Sequence, residues 1–356
     1  MNWSGVKTIV TYTQSTTPAS PLPGETWLKD YSLYVRDSTN TSWVLAKEIS
    51  ISSRGYGYIV GGDQLIIDRI TYPFDSGTAS AVAAVSATQY GQAAFNSSVY
   101  GYAAGGYYFY AGVISSYVER LTFPCNSGTS ISVGVLSIST NDPVGFNSSN
   151  YGFACCGYNS GYTCFSTISR LAFPFDSGTA SSVGITTTSK SQSSSFNSSN
   201  YGFIINGSFS NTAYFTNVDR ILYPFNSGTA TVTGLAILSR AQTAGFNSSQ
   251  HGFCVGGSQQ ISTPVYHSQI ERLAFPFDSG TTTFIGFLTR SVRLLNGMNS
   301  ALYGYTIGGL IGSTSSFVER ITFPFASGTA SSVGILSRST SRQACVDDTD
   351  FISQFI

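Results

Sequence analysis

The chain has 356 residues, of which only 10% are charged, and 17 lysines and arginines balance 17 aspartates and glutamates. A neutral chain without a Lys/Arg run lacks the electrostatic footprint of a nucleic-acid or anionic-membrane binder, so neither partner is expected. No uninterrupted apolar run approaches the roughly 18 residues of a membrane span, and residues 1–13 lack the apolar core of a secretory signal.

Residues 1–50 differ in kind from the rest of the chain, because Trp3, Trp27 and Trp43, all three of its tryptophans, lie there. Pro18, Pro21 and Pro23 favour an extended entry. Residues 24–28, 33–36 and 42–45 then read as three short strands, with a turn cluster at 37–40. The succession Pro-Gly-Glu-Thr-Trp, Leu-Tyr-Val and Ser-Trp-Val resembles a small module of bacteriophage tail-fibre and other virion proteins, where it precedes a fibre or receptor-binding region. The resemblance implies attachment to other virion proteins through residues 1–50. The alternative for the same residues is a plain β-meander. A virion component, made in the host cytoplasm and released by lysis, reconciles the missing secretory signal with a Ser/Thr/Gly/Tyr-rich composition suited to work outside a cell.

From residue 51 onward one motif, Arg-Leu-Ala-Phe-Pro-Phe-Asp-Ser-Gly-Thr at 170–179, recurs at 69–78, 120–129, 220–229, 272–281 and 320–329. The arginines are spaced 51, 50, 50, 52 and 48 residues apart, a period that indicates a propeller rather than a helical solenoid. Each unit parses into four strands, as at 241–247, 251–257, 269–275 and 281–288. The Pro and the Asp-Ser-Gly that follow the third strand must turn. Glycine pairs end the second strands at Gly61-Gly62, Gly105-Gly106, Gly256-Gly257 and Gly308-Gly309, with Cys156-Gly157 and Asn206-Gly207 as imperfect copies. A hydrophobic strand ending in Gly-Gly before a variable loop resembles the kelch family. The resemblance implies a six-bladed, all-β propeller over 51–356, with Phe175, Phe225, Phe277 and Phe325 standing in for the absent fourth-strand tryptophan. The first unit lacks its own first strand, and residues 344–349 align with 244–249. A strand at 342–346 is therefore expected to complete the first blade and leave no open edge.

Chemistry-bearing groups are sparse. His251 stands where other repeats have Tyr151, Tyr201 and Tyr303, and reads as scaffold; His267 lies in a variable loop. Asp68, Glu119, Asp219, Glu271 and Glu319 precede a repeat arginine, Ser169 breaking the set; their recurrence argues for cross-links between strands or blades rather than catalysis. Asn96, Asn147, Asn197 and Asn247 each begin Asn-Ser-Ser, which turn chemistry explains better than glycosylation. The six cysteines occupy no equivalent positions, although Cys155 or Cys156 with Cys164 could bracket one loop. No catalytic residue, cofactor or metal is expected.

The informative variation lies between the second and third strands. From the last Gly to the Arg the separations are 7, 14, 13, 13, 15 and 11 residues, while the Pro-Phe-Asp-Ser-Gly turns hardly change. Alternating strand direction places these loops and the fourth-to-first connections on one face. The loops carry Tyr107, Tyr108, Phe109, Tyr110, Tyr158, Tyr162, Phe165, Phe209, Tyr214, Phe215, Tyr266 and His267, a set suited to sugar stacking or protein contact. The expectation is a non-enzymatic virion protein, a homo-oligomer in the particle, that binds a host-surface glycan or receptor through Tyr107, Tyr108, Tyr110, Tyr158, Tyr162, Phe165, Phe209, Tyr214, Tyr266 and His267. The alternatives are an assembly or decoration protein contacting only other virion proteins, and a glycan-acting propeller enzyme.

Overall fold

The computed structural model describes residues 26–29, 32–36, 39, 41–48 and 55–348, apart from 211 and 260–263. The chain divides into two units, within Met1–Arg54 and Gly55–Phe355. In the first unit Thr26–Lys29, Ser32–Arg36 and Trp43–Glu48 form a three-stranded antiparallel sheet. Trp27 stands opposite Tyr34, and Arg36 opposite Trp43. These are the three strands expected at 24–28, 33–36 and 42–45; the proline-rich entry and Trp3 fall outside the described residues.

The second unit is all-β among the described residues, made of antiparallel four-stranded sheets in a β-propeller-like fold. A representative sheet runs Ser194–Asn197, Tyr201–Ile205, Asn217–Leu222, Thr231–Leu235 in spatial as in chain order. The glycine pairs end the second strands as expected, in left-handed backbone, and Cys156 (φ 67°) and Asn206 (φ 62°) adopt the same conformation without being glycine. In one sheet the first strand comes from the far end of the chain. Ala344–Asp347 pairs with Tyr56–Val60, setting Val346 opposite Tyr58 as Phe196 is set opposite Phe203. The strand begins two residues later than expected because Arg342 takes φ 56°, which turns the chain before it can pair.

The repeated motif is a set of devices that join neighbouring sheets. Its arginine crosses to the next repeat's turn: Arg170 Nη1 donates to Phe225 O at 3.0 Å, and Arg220 Nη1 to Phe277 O at 3.1 Å and Asp278 Oδ1 at 2.5 Å. Arg320 closes the series on Phe74 O and Asp75. The guanidinium also lies over a tyrosine of its own sheet, 4.4 Å from the Tyr201 ring centre for Arg220 and 4.3 Å from Tyr303 for Arg320. The motif's threonine bridges in parallel to the fourth strand of the previous sheet in all six repeats, for example Leu235 to Thr281 and Ile335 to Thr78. That bridge covers an edge which would otherwise offer free N–H and C=O groups.

The acid before the arginine points to the opposite side of the strand and has its own partners. Lys190 Nζ meets Asp219 Oδ2 at 2.8 Å and Arg240 Nη2 meets Glu271 Oε1 at 3.0 Å, all four side chains buried. Arg338 stands 3.3 Å from Asp68. The expected cross-link is therefore two cross-links, the arginine and the acid each reaching a neighbouring repeat by a different route. Where Ser169 replaces the acid, Thr140 occupies the place of the cation, and Ser169 hydrogen-bonds Ser137 at 2.7 Å.

Apolar packing follows the same period. Phe146 and Phe153 of one sheet stack at 5.4 Å, and Tyr223 of the next completes the stack at 5.6 Å. Elsewhere Met298 and Val346 take the first place in the stack, packing where Gly57 and Gly101 leave room. The turn phenylalanines fill the expected space beside the fourth strand: Phe225 packs on Gly184 and Phe277 on Gly234. All six cysteines are buried and free. Asn147, Asn197 and Asn247 are buried, and the Asn147 and Asn247 side chains accept from the backbone N–H of Asn96 and Asn197 at 3.3 and 3.4 Å. Their role is turn and strand chemistry.

Candidate functional site

The fourth-to-first connections carry six residues of left-handed backbone, Gly91, Asp142, Gln192, Gln242, Leu294 and Arg342, with φ between 50° and 66°. The N–H of each donates to the carbonyl of its counterpart in the preceding connection, and the series returns on itself when Gly91 N donates to Arg342 O; the six distances span 2.7–3.2 Å. Positive φ turns each N–H inward along this circuit. A cavity of about 130 Å³ runs from it along the first strands, with Gln92, Asp142, Gln192, Gln242, Arg342 and Gln343 in its wall.

Side chains repeat the circuit in part. Gln192 Nε2 donates to Asp142 Oδ2 at 2.9 Å, Gln242 Nε2 to Gln192 Oε1 at 3.3 Å, and Arg293 Nη1 to Gln242 Oε1 at 3.3 Å. Arg342 Nη1 stands 3.7 Å from Asp142 Oδ2. The Asp142 carboxylate is the main cause that holds the Arg342 guanidinium above its usual value.

The variable loops pair with these connections: Tyr107 lies opposite Tyr90, and Tyr158 bridges to Asn141. Aromatic rings therefore gather beside the connections that carry Gly91, Asp142 and Arg342. Tyr90 meets Tyr107 at 5.3 Å and Phe109 at 6.4 Å, Phe109 meets Tyr110 at 5.4 Å, and the Arg342 guanidinium lies 5.4 Å from the Tyr90 ring centre. Tyr158 and Tyr162 stack at 5.6 Å, and Asn141 Nδ2 donates to Tyr158 Oη at 2.7 Å. Tyr110 is 86% exposed and Tyr162 62%. Burial raises the Tyr90 phenol above its usual value, with Arg342 opposing and Tyr107, Asp142 and Tyr162 adding.

Of the ten residues singled out from sequence, Tyr107, Tyr110, Tyr158 and Tyr162 are the ones drawn together here. Tyr108 turns to Tyr117, 5.9 Å away. Phe209 sits exposed on a short hairpin with Ala213, Tyr214 is half-buried on the same hairpin, and Phe165 is half-buried in its loop. Tyr266 lies 5.2 Å from the Arg293 guanidinium, and burial lowers the neighbouring His267 below its usual value. Tyr90, Asn141, Asp142 and Arg342 were missed. Their signal was that the connections share the loop face and that Asp142 is the one acid in any of them.

The chain matches no protein-family model and no curated protein. Among solved structures it is similar to one described as "Structure of YjhT", with a TM-score of 0.64 at 12% identity, covering 87% of this chain and 98% of that chain. At that identity the likeness is one of fold alone.

Proposed function

We propose that the chain is a non-enzymatic virion protein in which residues 55–348 form a six-bladed, kelch-like β-propeller that binds a host-surface glycan. The observation that carries this reading is the cluster of Tyr90, Tyr107, Phe109, Tyr110, Tyr158 and Tyr162 beside the connections that wall the cavity. Exposed aromatic rings beside buried polar groups on a rigid scaffold suit a sugar, whose C–H face stacks while its hydroxyls hydrogen-bond. The circuit of backbone hydrogen bonds and the strand drawn from residues 344–347 support a closed ring of six blades. Residues 1–50, which resemble a virion module, supply attachment to other virion proteins, and the particle is where the chain acts as a homo-oligomer.

The test is binding of the full chain to host cells and to a glycan array, with Tyr110, Tyr158 and Tyr162 changed to Ala together and Tyr108→Ala as control. The expected outcome is a loss of at least about 100-fold for the triple variant, since each lost stacking contact costs on the order of 1 kcal/mol, and little change for Tyr108→Ala. Undiminished binding by the triple variant would remove the site from this face.

A further inference from the structure

We infer that the sugar held at this face is uncharged and that Asp142, Arg342 and Tyr90 hold it, a step that rests on the glycan-binding reading above. The first ground is the charge of the face. Its loops and connections contain Asp63, Asp142, Lys190, Arg240, His267, Arg290, Arg293, Arg338 and Arg342. Lys190, Arg240, Arg290, Arg338 and Arg342 are each matched to an acid. Arg293 and Asp63 remain, one of each sign, with Glu119, a buried acid of the same repeat position that is held by Ser86, Gln89 and Ser130 rather than by a cation, and burial favours the neutral form of His267. A face without excess positive charge gives an anionic ligand nothing to be steered by.

The second ground is the hydrogen-bonding capacity left in the cavity wall. Asp142 Oδ2 takes Gln192 and faces Arg342, whereas Asp142 Oδ1 meets no donor among the described residues. Gly91 lets that oxygen lie close against its backbone, because a methyl group there would stand 2.2 Å from Asp142 Oδ1, and Asp142 remains part of the cavity wall. A carboxylate oxygen already desolvated by the wall of a cavity accepts a hydroxyl proton well and repels a second carboxylate. The Arg342 guanidinium has five N–H groups and is neutralised by Asp142, so it offers donors to hydroxyl or ring oxygens without net attraction for anions. Tyr90, under that guanidinium and beside Tyr107, supplies the ring on which a pyranose lies. The acceptor, the donor and the ring come from three successive connections around the cavity.

The test uses the full chain on an array carrying neutral hexose and N-acetylhexosamine glycans beside uronate- and phosphate-bearing ones, followed by titration of the best binder. Neutral glycans are expected to bind, with affinity changing less than about twofold between about 50 and 500 mM salt. Asp142→Ala is expected to lose at least about tenfold. Asp142→Asn, which keeps the side chain's shape and the Gln192 contact but turns the free oxygen into a donor, should lose less, and the melting temperature of both variants shows whether they fold. Binding confined to anionic glycans, a steep fall with salt, or full affinity in folded Asp142→Ala would overturn the inference while leaving glycan binding intact. An array on which nothing binds would overturn both readings.

Discussion

Each repeat arginine uses one guanidinium twice, as a donor to the next repeat's turn and as a cation over a tyrosine of its own sheet. Arg272 is the exception, because His251 lies where the tyrosine should be and Ala326 replaces the turn Asp or Asn, leaving Phe325 O at 3.0 Å as its acceptor. Burial, with the Arg272 charge adding, holds the His251 imidazole below its usual value. Because the folded value lies below the unfolded one of about 6.5, the unfolded chain takes up protons that the folded chain refuses. Stability from this group is therefore present above about pH 6.5 and lost as pH falls through the folded value. His251→Tyr is expected to restore the ring under Arg272, raise stability by about 0.5–1 kcal/mol, and flatten part of the fall in melting temperature between about pH 7.5 and 5.5. Urea denaturation at two pH values checks both; an unchanged pH dependence would contradict the assignment.

At the scale of the strand, the glycine of the fourth strand shows what the repeat period left unread. A methyl group on Gly234 would stand 2.3 Å from Gly280 O and 2.7 Å from the Phe277 ring. Gly234→Ala must therefore push apart the parallel bridge of Leu235 with Thr281, at an expected cost of about 1–3 kcal/mol. A measured change under about 0.5 kcal/mol would mean that the two sheets are not in register there. The four strands of each unit were legible from apolar runs between Pro, Gly and Asn turns, and the first strand of the first sheet from the match of 344–349 to 244–249. Inter-sheet geometry was less legible, because a threonine in a turn gives no sign that it bridges to a strand about 50 residues away. The face with unequal loops was legible from loop variation, but which tyrosines meet was not. Tyr107 and Tyr108 are adjacent in sequence and extended, so they point to opposite sides, one to Tyr90 and the other to Tyr117.

Across the whole second unit, one end of the sheets holds repeated turns that lock neighbours together, and the other holds unequal loops beside the connections that wall the cavity. The inter-sheet scaffold is thereby separate from the loops: the arginines, threonines and aromatic stacks hold the sheets whatever the loops carry. Ligand binding is proposed to lie entirely on the loop end. Hydrogen–deuterium exchange on the full chain, with and without the tightest-binding glycan from the array, tests this most directly. Slowed exchange is expected at residues 90–92, 107–110, 141–142 and 158–162, with none at the Pro-Phe-Asp-Ser-Gly turns. Protection confined to those turns, or to residues 1–50, would contradict it.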